Sequence, residues 1–430
     1  WPTDRDTINY YYYSELYKKS IDEQVLTYEQ IRDITPGYIG PCLLMELLYF
    51  EYSSGFLVDT LHSVYHGAWK RLLRLWFGED YKKKEWSLWS KRQTIEINMK
   101  NFYYPTTTIR PPRSLTRYEK FKANESRSTL FIVYPMLKDF LPHKYYQHGH
   151  LLTTAITIGE SREITNGQVL LMRYLMETFI DTFEDIYELR HVVQTVHCNL
   201  HLPKSVMDFG PTCGYSTFNF ESILGKITST VHGSRLQQME LSNNIDLFKS
   251  TSIIANSHCQ QSVLSDFINE LQGYTTSSSQ TASSKPVNLT NTDKILFDAL
   301  YQNNYIIYSK LSYSDVQYSS WSASKSKTFT DSCVLFAKND DTLCYGIIKN
   351  VIYLKRQKQY RLQITELQNF SFDYVKIENV TYTNKNIIYG ELNENDFLYI
   401  KPEQLKEKVC FYTNENECFF VRLPNLVESS

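Results

Sequence analysis

Residues 191–235 include His191, His197, His201 and Glu221, whose side chains are of the types that bind metal ions. His197 and His201 are four residues apart, beyond His191. That spacing places both imidazoles on one face of a helix, where they can bind Zn²⁺. No third ligand is evident, because the segment HCNLH lacks the glutamate found between the two histidines of a metalloprotease. The alternative is that these are structural histidines packed against a core.

Glu221 is the strongest candidate for a metal-coordinating carboxylate. Pro203 and a Gly-Pro pair interrupt regular structure ahead of it, and Ser216 or Thr217 can cap a new helix. Cleavage of phosphodiesters with Mg²⁺ needs two or three acidic side chains. A glutamate in or near the first turn of a helix is also stabilised by the helix dipole alone. Glu221 is therefore either a Mg²⁺ ligand or a helix-terminal glutamate.

Asp59 and His62 form a second carboxylate and imidazole combination. Their spacing of three residues puts both side chains on one helix face. Such a pair can support a metal ligand at the edge of a nuclease site. The alternative is a buried pair that orients helices, with Asp59 accepting a hydrogen bond from the His62 ring.

Residues 66–122 carry the strongest local charge. Fourteen lysines and arginines face five acidic residues there, which leaves nine positive charges in a chain of net charge −2. Aromatic residues alternate with them. Cations contact phosphates and flat rings stack on bases, so the region is either a nucleic-acid groove or a solvated helix face with core aromatics. The residues expected to contact nucleic acid are Lys70, Arg71, Arg74, Arg110, Arg113, Lys226 and Arg235.

The periodicity of apolar residues predicts how these side chains are positioned. Residues 1–272 follow a mainly helical pattern, with helices predicted at 55–77 and 168–187 and another, interrupted by Pro135, at 128–141. Residues 273–290 are rich in serine and threonine, which is typical of a linker. Short β-branched and aromatic runs within 291–430 then predict a small antiparallel β-barrel.

Several segments resemble CACTA-like DDE transposases and the proteins derived from them. The resemblance spans roughly residues 30–240 and includes the segments HCNLHLPKSVMDFGP, STFNFESILGK and VHGSR. Upstream segments are similar too, namely ITPGYIGPCLLMELLYFEYSSGFLVDTLHSVYHGAWKRLLRLWF and IRPPRSLTRYEKFKANESRSTLFIVYPMLKDFLP. The segment DSCVLFAKNDDTLCYGIIKNVIYL is similar to the β-rich module at the C-terminus of such proteins.

The resemblance implies an α+β protein, in which the C-terminal part of an RNase H-like transposase domain precedes the barrel. It implies a metal-dependent DNA strand-cleaving and joining enzyme, with Mg²⁺ held by Glu221 and Asp59 as catalytic residues. His62, His197 and His201 would support that site, and the protein would be nuclear.

The chain begins at Trp1, and the family's zinc knuckle and two further carboxylates lie upstream of the matching segment. We therefore expect a piece that is inactive alone. The alternatives are a non-catalytic DNA-binding or chromatin-binding descendant, or a protein-interaction scaffold that uses the β module. A helical protein without any nucleic-acid role is a further alternative.

The amino-acid composition limits which of these functions are possible. Eight scattered cysteines without a Cys-x-x-Cys motif are typical of reduced thiols in an intracellular protein. No apolar run reaches about 18 residues, so we expect no membrane partner. The small net charge means that any polyanion must bind to a local surface.

Overall fold

The computed structural model describes residues 7–22, 30, 43–50, 56–108, 110–233, 236–257, 281–282, 284–287, 291–324, 328–393, 395–414 and 417–425. Helices dominate the first part of the chain and an antiparallel sheet dominates the second, which confirms the α+β class predicted from the sequence. No helix within those ranges combines the length and apolar character needed to cross a lipid bilayer.

The helices are short and closely spaced along the chain. The α-helices are α1 (Thr7–Asp22), α2 (Trp69–Phe77), α3 (Arg92–Asn98), α4 (Ala123–Ser128), α5 (His143–Gly159), α6 (Asn166–Asp181), α7 (Phe183–Tyr187), α8 (Gln194–His197), α9 (Leu202–Phe209), α10 (Thr217–Thr228), α11 (Gln237–Ser257), α12 (Asn291–Tyr301) and α13 (Trp321–Ser324). A π-helix, Leu61–Ala68, leads directly into α2, and a second one, Thr129–Val133, follows α4.

Short 3-10 segments occur between many of these helices and elsewhere in the chain. They are Leu43–Glu46, Glu79–Tyr81, Trp89–Lys91, Met99–Asn101, Leu115–Lys120, Tyr134–Asp139, Leu189–His191, Cys198–His201, Thr212–Gly214 and Pro402–Gln404. The helix predicted at 128–141 is one of the interrupted cases, since Pro135 occupies the first turn of its 3-10 segment.

The strands form one large sheet and one small sheet. They are β1 (Phe102–Tyr103), β2 (Thr281–Ala282), β3 (Tyr305–Tyr308), β4 (Lys310–Tyr313), β5 (Val316–Ser319), β6 (Cys333–Ala337), β7 (Leu343–Leu354), β8 (Gln359–Ile377), β9 (Val380–Leu392), β10 (Leu398–Ile400), β11 (Leu405–Lys408), β12 (Cys410–Thr413) and β13 (Cys418–Val421).

The large sheet has ten strands in the order β1-β12-β13-β9-β8-β7-β6-β11, with β10 paired to β8 and β3 to β7. The two ends of the sheet approach each other, so the sheet curls. The reason is that β11, paired with β6 at one end, is followed after a single residue by β12, which pairs with β13 near the other end. The predicted β-barrel is therefore confirmed in the coarser form of an antiparallel half-barrel. The small sheet has the order β2-β4-β5.

The helical region and the half-barrel share one core. Strand β1 comes from the helical region and pairs with β12, where Phe102 lies opposite Tyr412. Trp69 and Trp76 of α2 belong to the same buried cluster as Tyr412 and Phe419. The predicted boundaries at 272 and 290 stay a prediction. Within the predicted linker, β2 pairs with β4, and residues 273–280, 283 and 288–290 lie outside the described part.

A buried ion pair fixes several helices at once. The Arg127 guanidinium lies 2.7 Å from the Glu160 carboxylate, and both side chains are almost fully buried. The Tyr65 hydroxyl donates to the other oxygen of Glu160, and Asn425 contacts Arg127 and Glu160 together. The π-helix, α4, the end of α5 and the C-terminal segment are therefore joined by one polar network.

Gly149 gives a test of how tightly the core is packed. Replacing an interior helical glycine with alanine ordinarily stabilises a helix by about 1 kcal/mol. Here the new Cβ would lie 2.9 Å from the Tyr134 hydroxyl and 3.1 Å from the Trp76 ring. We expect Gly149→Ala to lower the free energy of unfolding by about 1–3 kcal/mol, measured by urea denaturation. Gly225→Ala in α10 is the control, because no described atom lies within 4 Å of its Cβ. A Gly149→Ala protein as stable as the original would contradict this packing.

Candidate nucleic-acid interface

Of the two breaks predicted before Glu221, at Pro203 and at Gly210, only the one at Gly210 ends a helix. Pro203 lies in the first turn of α9, so it begins a helix instead of ending one, because proline lacks a backbone N–H that the first turn does not need. The prediction that Pro203 stops regular structure is wrong. Gly210 does end α9, with a φ of 83° that favours glycine. The Ser216 hydroxyl then caps α10, which places Glu221 just beyond the first turn.

The structure brings Asp59, His62 and Glu221 together, although Glu221 is 162 residues beyond Asp59 in the chain. The His62 Nδ1 lies 2.7 Å from the Asp59 carboxylate, and its Nε2 lies 3.5 Å from the Glu221 carboxylate. His62 and Glu221 are exposed, whereas Asp59 is mostly buried. An imidazole therefore bridges the two carboxylates at the surface.

Asp59 is also the anchor of α10. Its carboxylate accepts hydrogen bonds from the Thr217 backbone N–H at 3.1 Å and the Thr217 hydroxyl at 2.7 Å. The His62 backbone N–H donates to it as well, at 3.1 Å. Burial raises the pKa of Asp59, but these hydrogen bonds outweigh burial and hold the pKa below its usual value. Asp59 therefore has a clear structural role.

Removing the Asp59 carboxylate should detach α10. We expect Asp59→Ala to lower the free energy of unfolding by about 2 kcal/mol at pH 7, since hydrogen bonds to a charged group are lost. Because the folded pKa of Asp59 is lowered, this contribution is present above the unfolded value of 3.8 and is lost as pH falls below it. The difference between variant and original in urea denaturation should therefore narrow below that pH.

Glu221→Ala is the matched control for this experiment. More than half of the Glu221 side chain is exposed, so its removal should change stability by less than about 0.5 kcal/mol. Equal losses for the two variants would contradict the anchoring role of Asp59.

His66 extends this cluster along the helix and was missed in the sequence. It lies one turn beyond His62 and is exposed. Burial of part of the ring lowers the pKa of His66, and the nearby Lys70 ammonium lowers it further. The spacing of His62, His66 and Lys70 by four residues could have revealed one shared helix face.

The other histidines predicted at the site make different contacts. His197 and His201 contact each other edge to face, with ring centroids 5.9 Å apart. His191 lies against Arg71, with 2.6 Å between the His191 Nδ1 and an Arg71 nitrogen. Burial, together with Arg71 and Arg190, lowers the pKa of His191 to about 4. His191 is therefore neutral at pH 7.

Several predicted DNA contacts meet at the 3-10 segment Leu115–Lys120. The Lys70 ammonium donates to the Glu119 carbonyl at 2.8 Å, and an Arg113 nitrogen donates to the Lys120 carbonyl at 2.8 Å. Arg74 lies nearby on α2, half exposed and 3.7 Å from Asp80. We call the group around this segment the cationic patch; its members are Lys70, Arg74, Arg113, Arg117 and Lys120.

Arg113 is also held by a structural partner. Its Nε and one Nη lie 2.6 Å and 2.7 Å from the two oxygens of Glu125, whose side chain is completely buried. Burial raises the pKa of Glu125, but Arg113 and backbone N–H groups outweigh it and lower the pKa. Replacing Arg113 therefore changes both surface charge and folding, so it is a poor probe of DNA binding.

The remaining predicted contacts are distributed differently. Arg110 is exposed, in the loop before Arg113, while Arg71 is turned to His191. Arg235 and the side chain of Lys226 lie outside the described residues. The prediction of nucleic-acid contact at these positions stays a prediction.

The aromatic residues of the basic region do not form a stacking surface. Trp69, Trp76, Trp86, Phe102 and Tyr104 are all buried in the core. Trp89 is partly exposed, but Arg92 covers its ring at 4.0 Å. The interpretation as core aromatics beneath charged side chains therefore holds, and the patch offers cations without flat rings.

The cluster at Asp59 does not fit a Mg²⁺ site. Magnesium prefers oxygen ligands, but both oxygens of Asp59 accept hydrogen bonds from the protein. Over the described residues, no three His, Cys, Asp or Glu side chains are grouped so that they could hold a metal ion. No catalytic step therefore follows from Asp59 and Glu221 alone.

Comparisons with protein-family models, curated proteins and solved structures find no match to this chain. The candidate site is therefore interpreted from its own geometry.

Proposed function

We propose that this chain binds DNA through the cationic patch and does not cut it alone. The observation that carries the proposal is the gathering of Lys70, Arg74 and Arg113 around Leu115–Lys120. In an otherwise slightly acidic chain, such a local group of cations fits a polyanion, because phosphates release counterions when lysine and arginine neutralise them.

The patch stands on a rigid support. Lys70 and Arg74 project from α2, whose opposite face carries the buried residues Trp69, Leu72 and Trp76. The Trp69 N–H donates to Thr129 at 2.8 Å, and the Trp76 N–H donates to Tyr187 at 3.0 Å. Cations on a fixed helix lose less conformational freedom on binding than cations on a loop.

The sequence resemblance suggests from which kind of protein this binding function descends. We propose that the helical region derives from the C-terminal part of an RNase H-like CACTA-type transposase domain and that the protein is nuclear. Mg²⁺ would be needed for DNA cleavage only by a protein that also carries the family's further carboxylates. Because Asp59 is committed to α10, we favour the non-catalytic descendant over the cleaving enzyme for this chain.

A cleavage assay distinguishes a non-catalytic DNA-binding protein from a DNA-cleaving enzyme. A labelled DNA duplex incubated with the protein and Mg²⁺ should be bound but remain intact. Strand cleavage by the original protein that disappears in Glu221→Gln would overturn the non-catalytic assignment. Glu378→Gln, which alters an exposed carboxylate in the turn between β8 and β9, is the control for nonspecific charge effects.

A further inference from the structure

Residues of β7, β8, β9 and β12 line a cavity of about 920 Å³ that is open to solvent. Its size falls within the range of small-ligand sites. Aromatic rings form much of its wall, and Trp321 and Phe411 meet there at 80° with centroids 5.9 Å apart. Phe372 and Tyr389 also line it. We call this cavity the half-barrel basin.

The basin already holds one ammonium group. Lys138 from the helical region places its Nζ 4.5 Å from the centre of the Tyr389 ring and 3.9 Å from the Asp373 carboxylate. Asp373 is buried and is fixed by a 2.5 Å hydrogen bond from the Tyr146 hydroxyl. The basin thus shows how it stabilises a cation, with an aromatic face on one side and a carboxylate on the other.

Carboxylates outnumber ammonium groups around the basin. Lys138 and Lys349 line it together with Glu391 and Glu417. Asp373 contacts Lys138. Burial raises the pKa of Glu417, and the nearby carboxylates of Asp139 and Asp373 raise it further. Four carboxylates against two lysines leave two negative charges.

Two polar groups in the wall have unused bonding capacity. Among the described residues, the Glu417 carboxylate has no hydrogen-bond or ion-pair partner. The Thr365 hydroxyl is buried and also has no partner in the part of the chain that is described. A buried hydroxyl without a partner is unfavourable, and the partly exposed Glu417 carboxylate can accept a hydrogen bond from an incoming donor.

We propose that the half-barrel basin binds a lysine side chain of a basic segment on a partner protein. The aromatic wall surrounds the methylene chain, Glu417 pairs with the ammonium group, and Thr365 is available to a polar group of the segment. An anionic ligand is disfavoured by the excess of carboxylates. The inference does not rest on DNA binding, because the cationic patch lies on different residues.

The test uses isothermal titration calorimetry of the whole chain with a capped peptide that alternates lysine and serine. Two matched peptides carry glutamine or glutamate in place of lysine. We expect the lysine peptide to bind, and the glutamine and glutamate peptides to bind at least tenfold more weakly. Equal binding of the glutamine peptide, tighter binding of the glutamate peptide, or no heat with any peptide would overturn the proposal.

Variants locate the binding. Glu417→Gln keeps the shape and removes the charge, so affinity for the lysine peptide should fall about tenfold, which corresponds to one charge-assisted contact. Phe372→Leu, which removes one ring from the wall, should weaken binding independently. Glu378→Gln, outside the basin, should stay within twofold of the original. Unchanged affinity in both Glu417→Gln and Phe372→Leu would exclude the basin. DNA affinity should be unaffected in both, which separates this test from that of the proposed function.

Discussion

Arg127→Met is expected to lower the free energy of unfolding by about 3–5 kcal/mol, the largest effect of any single change considered. Arg127 and Glu160 are 6% and 5% exposed, so the variant leaves the Glu160 carboxylate buried without its cation. The hydrogen bonds from Arg127 to Asn425 are lost as well. Urea denaturation followed by circular dichroism measures the change.

Lys144→Met is the matched control for Arg127→Met. Lys144 lies 2.7 Å from Glu85, but both side chains are more than half exposed, so water screens the pair. Breaking it should cost less than about 1 kcal/mol. If the two variants lose similar stability, the buried network does not join the helices as described.

The double variant Lys70→Glu and Arg74→Glu is expected to lower DNA affinity about 100-fold at about 50 mM salt. Both changes replace attraction to phosphate with repulsion, and the salt slope should flatten by about 2 because two phosphate contacts are lost. Stability should change little, because Lys70 and Arg74 are not buried. Fluorescence anisotropy with a labelled duplex measures affinity, and urea denaturation checks the fold.

Lys376→Glu with Lys385→Glu is the control for net charge. These two lysines are exposed on β8 and β9, away from the cationic patch, and their reversal changes the net charge by the same amount. We expect at most a threefold loss of affinity, from long-range repulsion. An equal loss in the two double variants would mean that only overall charge matters.

Local patterns predicted the elements that have one buried face. The helix predicted at 168–187 corresponds to α6 and α7, where Leu175 and Phe179 point into the core. In the sheet, the β-branched and aromatic runs at 360–364 and 374–377 each predict a separate short strand, but they are the two ends of one long strand, β8. A polar middle section with Asn369 at a positive φ disguised its continuity.

Helix α5 could not be predicted from periodicity. Most of its residues are buried, including His148, His150 and Thr153, so it lacks a polar face to alternate with an apolar one. Some of its polar groups make tertiary contacts, such as the hydrogen bond between the His148 ring and the Phe179 carbonyl at 2.8 Å. Such contacts depend on packing that a single helix sequence does not encode.

One of the two roles considered for Asp59, a residue that orients helices and accepts from the His62 ring, matches its contacts, whereas the catalytic role stays a prediction. Asp59, His62 and Glu221 were chosen by spacing and chemistry, and they do lie together. Thr217, which donates two hydrogen bonds to Asp59, is 158 residues away along the chain, and nothing in the local sequence indicated this contact. The basic residues were evident by count, but the buried partner of Arg113 was not, because Glu125 resembles any helix-terminal glutamate in the sequence.

The most direct test of DNA binding is the salt dependence of the original protein's affinity for a labelled duplex. Fluorescence anisotropy between about 50 and 200 mM salt should show clear binding at the lowest concentration. The logarithm of the association constant should then fall linearly with the logarithm of salt, with a slope of about −2 to −4 for two to four phosphate contacts. No binding at about 50 mM salt, or an affinity that does not change with salt, would contradict the assignment of the cationic patch.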